Sequence, residues 1–238
     1  MVNPVYTTLT RQSGLLREMQ VVAHNVANLS TAGYRREGVI FTEYVRNLGN
    51  TEELLSMAAA NARQTVQTQG TLNQTGGTLD LAIEGDGFFV VETQQGDRLT
   101  RNGHFATNAE GEMVTSDGYR LLDDAGAPLF IPAEAHSITI GRDGTVSTED
   151  QPLGQIGLMR PEDPSQLRRA RGTLLEPTGG LLPADDAILH QGFLEESNVN
   201  PISEMARMIE IQRAYEMGQK FLEREDERVR AVIQTLGR

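Results

Sequence analysis

The sequence predicts an α+β chain, with a long amphipathic helix at each end and a small antiparallel all-β domain between them. Three observations carry this. Both ends repeat apolar residues at helical spacing, each behind an Asn-Pro pair. From Gly70 to Leu158 the period shortens to that of strands. Gly-containing turn pairs punctuate this middle region.

The first helix starts at Asn3-Pro4, an N-cap followed by Pro at the first helical position. Leu9, Leu16 and Ala23 form one row with sevenfold spacing. Leu15, Val22 and Leu29 form the next, and Met19 and Val26 a third. Adjacent rows merge into one broad apolar face, which Arg11, Arg17, Glu18 and Gln20 largely avoid. Gly33 is the expected helix stop and is expected to be left-handed. Asn25, Asn28 and Thr31 sit where the helix must end and turn, so their side chains are expected to satisfy backbone groups there.

Asn50 and Glu53 have capping-box spacing, and Leu54, Leu55, Ala58 and Ala62 fit helical turns, so a short helix is expected over 51–62. Gln64 to Thr71 reads as extended. Leu79, Leu81 and Ile83 then alternate, and Phe88-Phe89-Val90-Val91 is a short apolar run behind the turn Gly85-Asp86-Gly87. Asn102-Gly103, Asp117-Gly118 and Asp143-Gly144 are turn signals. Met113-Val114, Tyr119 to Leu122, Ile138 to Ile140 and Thr145-Val146 are the strands between them. The stretch 160–190, rich in Pro, Gly and Arg, reads as loop with short strands.

Asn200-Pro201 repeats the start signal of the first helix. From Met208 a heptad seam follows through Ile211, Tyr215, Gly218, Leu222, Glu225, Val229, Val232 and Leu236. Gly218 and Glu225 interrupt it, and Gly218 either permits a close backbone approach or simply weakens the seam. Ile202, Met205 and Ile209 read as a row that widens the same face. The charged run Glu223 to Glu227 reads as a solvated or salt-bridged face. The two ends carry more apolar surface than one chain of this design readily covers, which points to a subunit of an assembly. The competing reading is an ordinary α+β domain whose terminal helices complete its own core.

Composition narrows the function classes. A formal charge of −12 over 238 residues argues against nucleic acid. Residues 1–49 run against this trend, with five bases and three acids. There is no Cys, so thiol and disulfide chemistry are excluded. No apolar run of signal-peptide length follows Met1, so a cleavable secretory signal is not expected. His24, His104, His136 and His190 have no metal-ligand spacing, and no cofactor is expected. Neither a Gly-x-Ser-x-Gly elbow nor a phosphate-binding loop occurs. Asp80, Glu84 and Asp86 could supply a carboxylate pair or a cation site, but solvated edge and turn positions explain them better. Phe88 and Phe89 read as core.

The segment from Ala23 to Arg35, with Asn25-Val26-Ala27-Asn28 and Thr31-Ala32-Gly33-Tyr34 inside it, resembles the N-terminal signature of bacterial flagellar axial proteins. These form the rod and hook family. Leu79 to Phe89, and Leu99 to Phe105 followed by Gly118-Tyr119, are similar to its middle motifs. Leu194 to Asn200, which holds Ser197 and Asn198, and Ile209 to Tyr215 are similar to its C-terminal signature. His24 departs from the family's usual Asn. The motifs occur in order along nearly the whole chain, leaving residues 46–68 and 160–190 without a clear counterpart. Length and the residues Arg11-Gln12 and Leu16-Arg17-Glu18 place the resemblance among the mid-sized rod members, nearer the proximal one, with the distal paralogue as the alternative.

The resemblance implies a structural subunit of the basal-body rod in the periplasm, not an enzyme. It implies no cofactor and no small-molecule substrate. Partners would be copies of itself, other rod proteins and the flagellar export apparatus. Residues 1–35 and 196–238 would pair as a coiled-coil layer, 36–75 would connect, and 76–195 would form the β domain. The expected assembly interface is Leu9, Leu15, Leu16, Met19, Val22 and Val26 on the first helix. On the second it is Met205, Met208, Ile209, Tyr215, Leu222, Val229 and Ile233. A secreted β-domain binding protein with oligomerising helical tails is the competing class.

Overall fold

A computed structural model describes residues 4–47, 54–135, 137–149 and 151–236. His136 and the expected caps Asn3, Asn50 and Glu53 lie outside the described residues. The chain divides into two compact units. One gathers residues 1–27, 37–64 and 200–238; the other holds 28–36 and 65–199.

The helical unit contains α1 (Pro4–Ala27), α2 (Pro201–Leu236) and a two-stranded sheet of β1 (Glu37–Asn47) and β2 (Leu54–Thr65). α2 begins where the sequence places it. The Asn200 side chain accepts from the Ile202 and Ser203 amides at 3.0 and 3.1 Å. α1 ends at Ala27, six residues before its expected stop. The short helix expected over 51–62 is instead strand from Leu54 onward. Isolated Leu-Leu and Ala pairs fit either period, and pairing with β1 decides for the strand.

Three contacts fix the direction of the helix pair. Gln12 meets Tyr215, Glu18 meets Arg207, and Asn25 meets Glu204. Rising numbers on α1 match falling numbers on α2, so the helices are antiparallel. At 24 against 36 residues, α2 is the longer by about 18 Å at 1.5 Å per residue. The same register places the start of α1 opposite the Glu223–Glu225 region. Seam residues Met208, Tyr215, Gly218, Leu222 and Glu225 are half-buried and Ile211 is buried. Beyond that point Val229, Val232 and Ile233 are exposed.

Gly218 is a point of close approach, to a side chain rather than to a backbone. A Cβ there would lie 3.0 Å from Nε2 of Gln12, whose amide donates to the Tyr215 carbonyl. Gly218→Ala should be tolerated, because the tip of Gln12 can shift and Ala favours helix by about 0.8–1 kcal/mol. Gly218→Leu should overpack the site and cost about 1–3 kcal/mol. Thermal melts followed by helical circular dichroism distinguish the two.

The β unit is antiparallel throughout its strand pairings and built on a nine-stranded sheet. Its central strand, Phe88–Thr93, explains the run Phe-Phe-Val-Val, because both faces are covered. Phe89 and Val91 enter a large core with Leu81, Phe105, Met113 and Leu121. Phe89 meets Phe105 edge to face at 5.2 Å. Phe88 and Val90 enter a second core with Leu99, Leu122, Leu167 and Leu175. The stretch 160–190 is loop with short strands, as its sequence reads, and those strands close this second core. Strands Leu158–Pro161, Leu167–Arg169, Leu175–Pro177 and Leu181–Pro183 cover that face, each only three or four residues long. The expected alternation at 79–83 gives way to a strand, Leu81–Glu84, with Leu81, Ala82 and Ile83 all buried.

Candidate assembly interface

The helical unit is held by polar groups buried inside an apolar seam. Asn25 is fully buried. Its amide donates to the Glu37 carbonyl at 2.9 Å and to Glu204 Oε2 at 3.1 Å, while its Oδ1 accepts from the Glu37 amide at 3.0 Å. This asparagine therefore does what the sequence suggested, satisfying both backbone groups of the first residue of β1. It also engages a carboxylate on α2. Lower on the pair, Arg207 Nε donates to Glu18 Oε1 at 2.7 Å, and this bond raises the Arg207 pKa. On the charged run of α2, Arg228 meets Glu225 at 2.7 Å and Arg230 meets Asp226 at 2.8 Å, as an exposed salt-bridged face should.

The expected interface residues divide into two sets. Val22 is buried, and Leu15, Met19, Val26, Met208, Tyr215 and Leu222 are half-buried. Leu9, Leu16, Met205, Ile209, Val229 and Ile233 are exposed. Ile202, Met205 and Ile209, at 79, 55 and 49% exposure, do not widen the seam. At 100° per residue they lie across the helix from buried Glu204 and Ile211, on a second apolar face. Leu9 and Leu16 likewise lie outside the buried stripe of Gly14, Glu18, Val21, Val22 and Asn25.

In the β unit the motif residues converge on one buried carboxylate. Glu195 is 1% exposed and takes Arg35 at 3.0 Å and Arg101 at 3.2 Å, themselves 2 and 3% exposed. The Gly70 amide donates to Glu195 Oε1 at 2.8 Å, and the Gly33 amide to its carbonyl at 2.7 Å. Burial lowers the pKa of both arginines, Arg101 to about 10, with Glu195 and Asp86 opposing the shift. Gly33 has φ +67°, the left-handed conformation expected of it. It serves a close approach rather than a helix end, since a Cβ would fall 2.2 Å from the Arg101 carbonyl carbon.

Asn198 staples three chain segments. Its Oδ1 accepts from the Arg36 amide at 2.6 Å, and its amide donates to the Val66 and Thr68 carbonyls at 3.1 and 2.7 Å. The backbone carbonyl of buried Tyr34 accepts from the Asn198 backbone N–H, and the Tyr34 ring lies under the Arg169 guanidinium at 4.4 Å. Thr31 donates to Asn28 Oδ1 at 3.1 Å inside the turn, and Ser197 Oγ accepts from the Val199 amide.

Asp80, Glu84 and Asp86 are not merely solvated. Asp80 meets His104 at 2.7 Å, Glu84 meets His190 at 2.6 Å, and Asp86 acts electrostatically on Arg35 and Arg101. The His104–Asp80 pair has half the form of a catalytic triad. However, Thr75, the hydroxyl beside it, donates to Asp80 at 2.6 Å rather than to the imidazole. No group of His, Asp and Glu with metal-holding geometry occurs among the described residues. The family model described as the flagellar hook protein FlgE/F/G D1 domain matches residues 82–148, and that of the flagellar basal body rod FlgEFG protein C-terminal region matches 190–235. The flagellar basal-body rod protein FlgF of Caulobacter vibrioides is 40% identical over 245 residues, covering 100% of this chain and 99% of its own.

The chain belongs to the flagellar rod and hook protein family.

Other members agree along the same length. FlgF of Mesorhizobium japonicum is 34% identical with 100 and 99% coverage, and FlgG of Bacillus subtilis is 30% identical with 98% of both chains covered. Family membership makes the chain a structural protein, not an enzyme. It also places the buried knot in context. Arg35, Arg101 and Glu195 come from three separate motif segments of the rod and hook resemblance, and sequence reading gave none of them a role. No local signal marks them, since Arg35 stands beside Arg36 and Glu37, Arg101 beside Thr100 and Asn102, and Glu195 beside Glu196.

Proposed function

We propose that this chain is a structural subunit of the flagellar basal-body rod, nearer the proximal than the distal rod protein. The observation that carries the reading is the pairing of end-to-end similarity to rod proteins with apolar rows left exposed on both terminal helices. The antiparallel α1–α2 pair is the core of a coiled-coil layer that neighbouring subunits complete. Leu9, Leu16, Met205, Ile209, Val229 and Ile233 face those neighbours, while Val22 and the half-buried seam residues hold the pair itself together. Contacts of one copy to the next that do not close into a ring build a helical tube. Many such contacts in parallel carry torque. The neighbours are copies of the chain and other rod proteins in the periplasm, reached through the flagellar export apparatus.

The test is complementation of a strain lacking the chain. The full-length chain should restore swimming, and a chain ending at Val199 should not, even though it is exported and its β unit remains folded. Swimming restored by the shortened chain would contradict the reading.

A further inference from the structure

Charge is unevenly placed in the β unit. Over residues 28–36 and 65–199 it carries twenty-one acids against ten bases, almost the whole of the chain's −12. A second copy meets repulsion over most of such a surface. Two places depart from the average in opposite directions. The first is a cleft of about 390 Å³ beside the strand Leu158–Pro161. Ile156, Leu158, Met159 and Pro183 give it an apolar lining. Asp124, Asp143 and Asp185, all exposed, also line it, and no base does. Asp143 is held locally, accepting from the Thr145 amide and hydroxyl at 3.1 and 2.8 Å. The carboxylates of Asp124 and Asp185 have no ion-pair or hydrogen-bond partner among the described residues. The second place is the loop after the strand Leu167–Arg169. Three of the ten bases, Arg168, Arg169 and Arg171, fall within four positions there. Arg169 stacks on Tyr34 and donates to the Gly172 carbonyl. Arg168 and Arg171 are exposed and have no ion-pair partner among the described residues.

We propose that the basic loop 168–171 of one copy docks into the acidic cleft of a second copy. An arginine suits both parts of the lining. Its guanidinium meets the carboxylates, and its apolar stem covers Met159 and Pro183. Cleft and loop share no residue, so the contact is heterologous: each copy offers one to its neighbour on either side. Exposed ion pairs are individually weak. This contact therefore selects the orientation in which two acidic surfaces attract, and leaves the strength of the assembly to the helices. It deepens the rod reading by naming one contact between copies, and it rests on that reading.

The experiment exploits the absence of Cys from the chain. Ala170→Cys and Asp186→Cys, both exposed and beside the proposed contacts, are placed together in the full-length chain. The chain is expressed in a strain lacking it, and isolated basal bodies are treated with a short bis-maleimide. Cross-linked multimers of the chain should appear. With Glu110→Cys and Asp186→Cys, where Glu110 is an exposed acid elsewhere on the β unit, they should not. In parallel, the purified chain is titrated with an acetylated peptide of its own residues 166–173, read by NMR at the Gly157 and Ala187 amides. Both signals should shift. Asp124→Asn combined with Asp185→Asn should weaken the peptide about tenfold, as the loss of two surface ion pairs requires. Multimers from both cysteine pairs, or from neither while the chain is present in basal bodies, would overturn the proposal and leave the rod reading standing. Peptide shifts without multimers would also overturn it, making the cleft a site for another protein's basic segment. No peptide shift, or one unchanged by the two Asn substitutions, would overturn it as well. If the cysteine pair fails to enter basal bodies, the peptide titration decides. Absence of the native chain from basal bodies would instead contradict the rod reading.

Discussion

Replacing Glu195 by Ala is expected to destabilise the β unit by about 3–5 kcal/mol, the largest effect of any single side chain here. The reason is the charge balance around it. Arg35 and Arg101 are both buried, and Glu195 is the carboxylate bonded to each. Removing it leaves two desolvated cations and an unmet Gly70 amide. Glu195→Gln keeps an acceptor but not the charge, so it should fall between Ala and the native protein. The chain has no Trp. Urea unfolding is therefore best followed through NMR amide signals of the strand Phe88–Thr93. A loss below about 1 kcal/mol would show that the arginines find other partners.

Val26→Asp should abolish swimming while leaving the amide signals of the β unit unchanged. Val26 is half-buried on α1 beside fully buried Asn25, in the row that begins with Met19. A carboxylate there either remains in the seam unpaired, at a cost of several kcal/mol, or forces the helices apart. It would also set a third acid near Glu204 and Glu37, which Asn25 already joins. Normal motility in this variant would mean that the seam is dispensable for assembly.

Both predictions rest on features that differ in how legible they were. The start of α2 was readable because an Asn N-cap and Pro act through local backbone geometry. The run Phe88 to Val91 was readable as buried strand, but not as the divider between two cores, because the second core comes from residues 167–181 far along the chain. The segment 51–62 was misread because Leu and Ala spacing there suits helix and strand alike. Its strand form depends on β1, a partner that no local pattern announces. Periodicity found the row Ile202, Met205, Ile209 but not its direction, since only the position of α1 decides which face is inner. The charge knot was the least legible feature: Arg101 and Glu195 stand 94 positions apart, and neither shows from its neighbours that it is buried.

The terminal helices leave apolar surface exposed, most plainly on α2 beyond Leu222, and neighbours are expected to cover it. An uncovered helical segment of about twelve residues is marginal in water. Hydrogen exchange, read over residues 1–35, 75–150 and 200–238 in the purified chain and again in isolated basal bodies, tests this directly. The middle should be protected in both samples, with α2 beyond Leu222 exchanging fast when free and slowly in basal bodies. Full protection of both helices in the free chain would contradict it, and would mark a self-contained α+β protein whose helices need no neighbours.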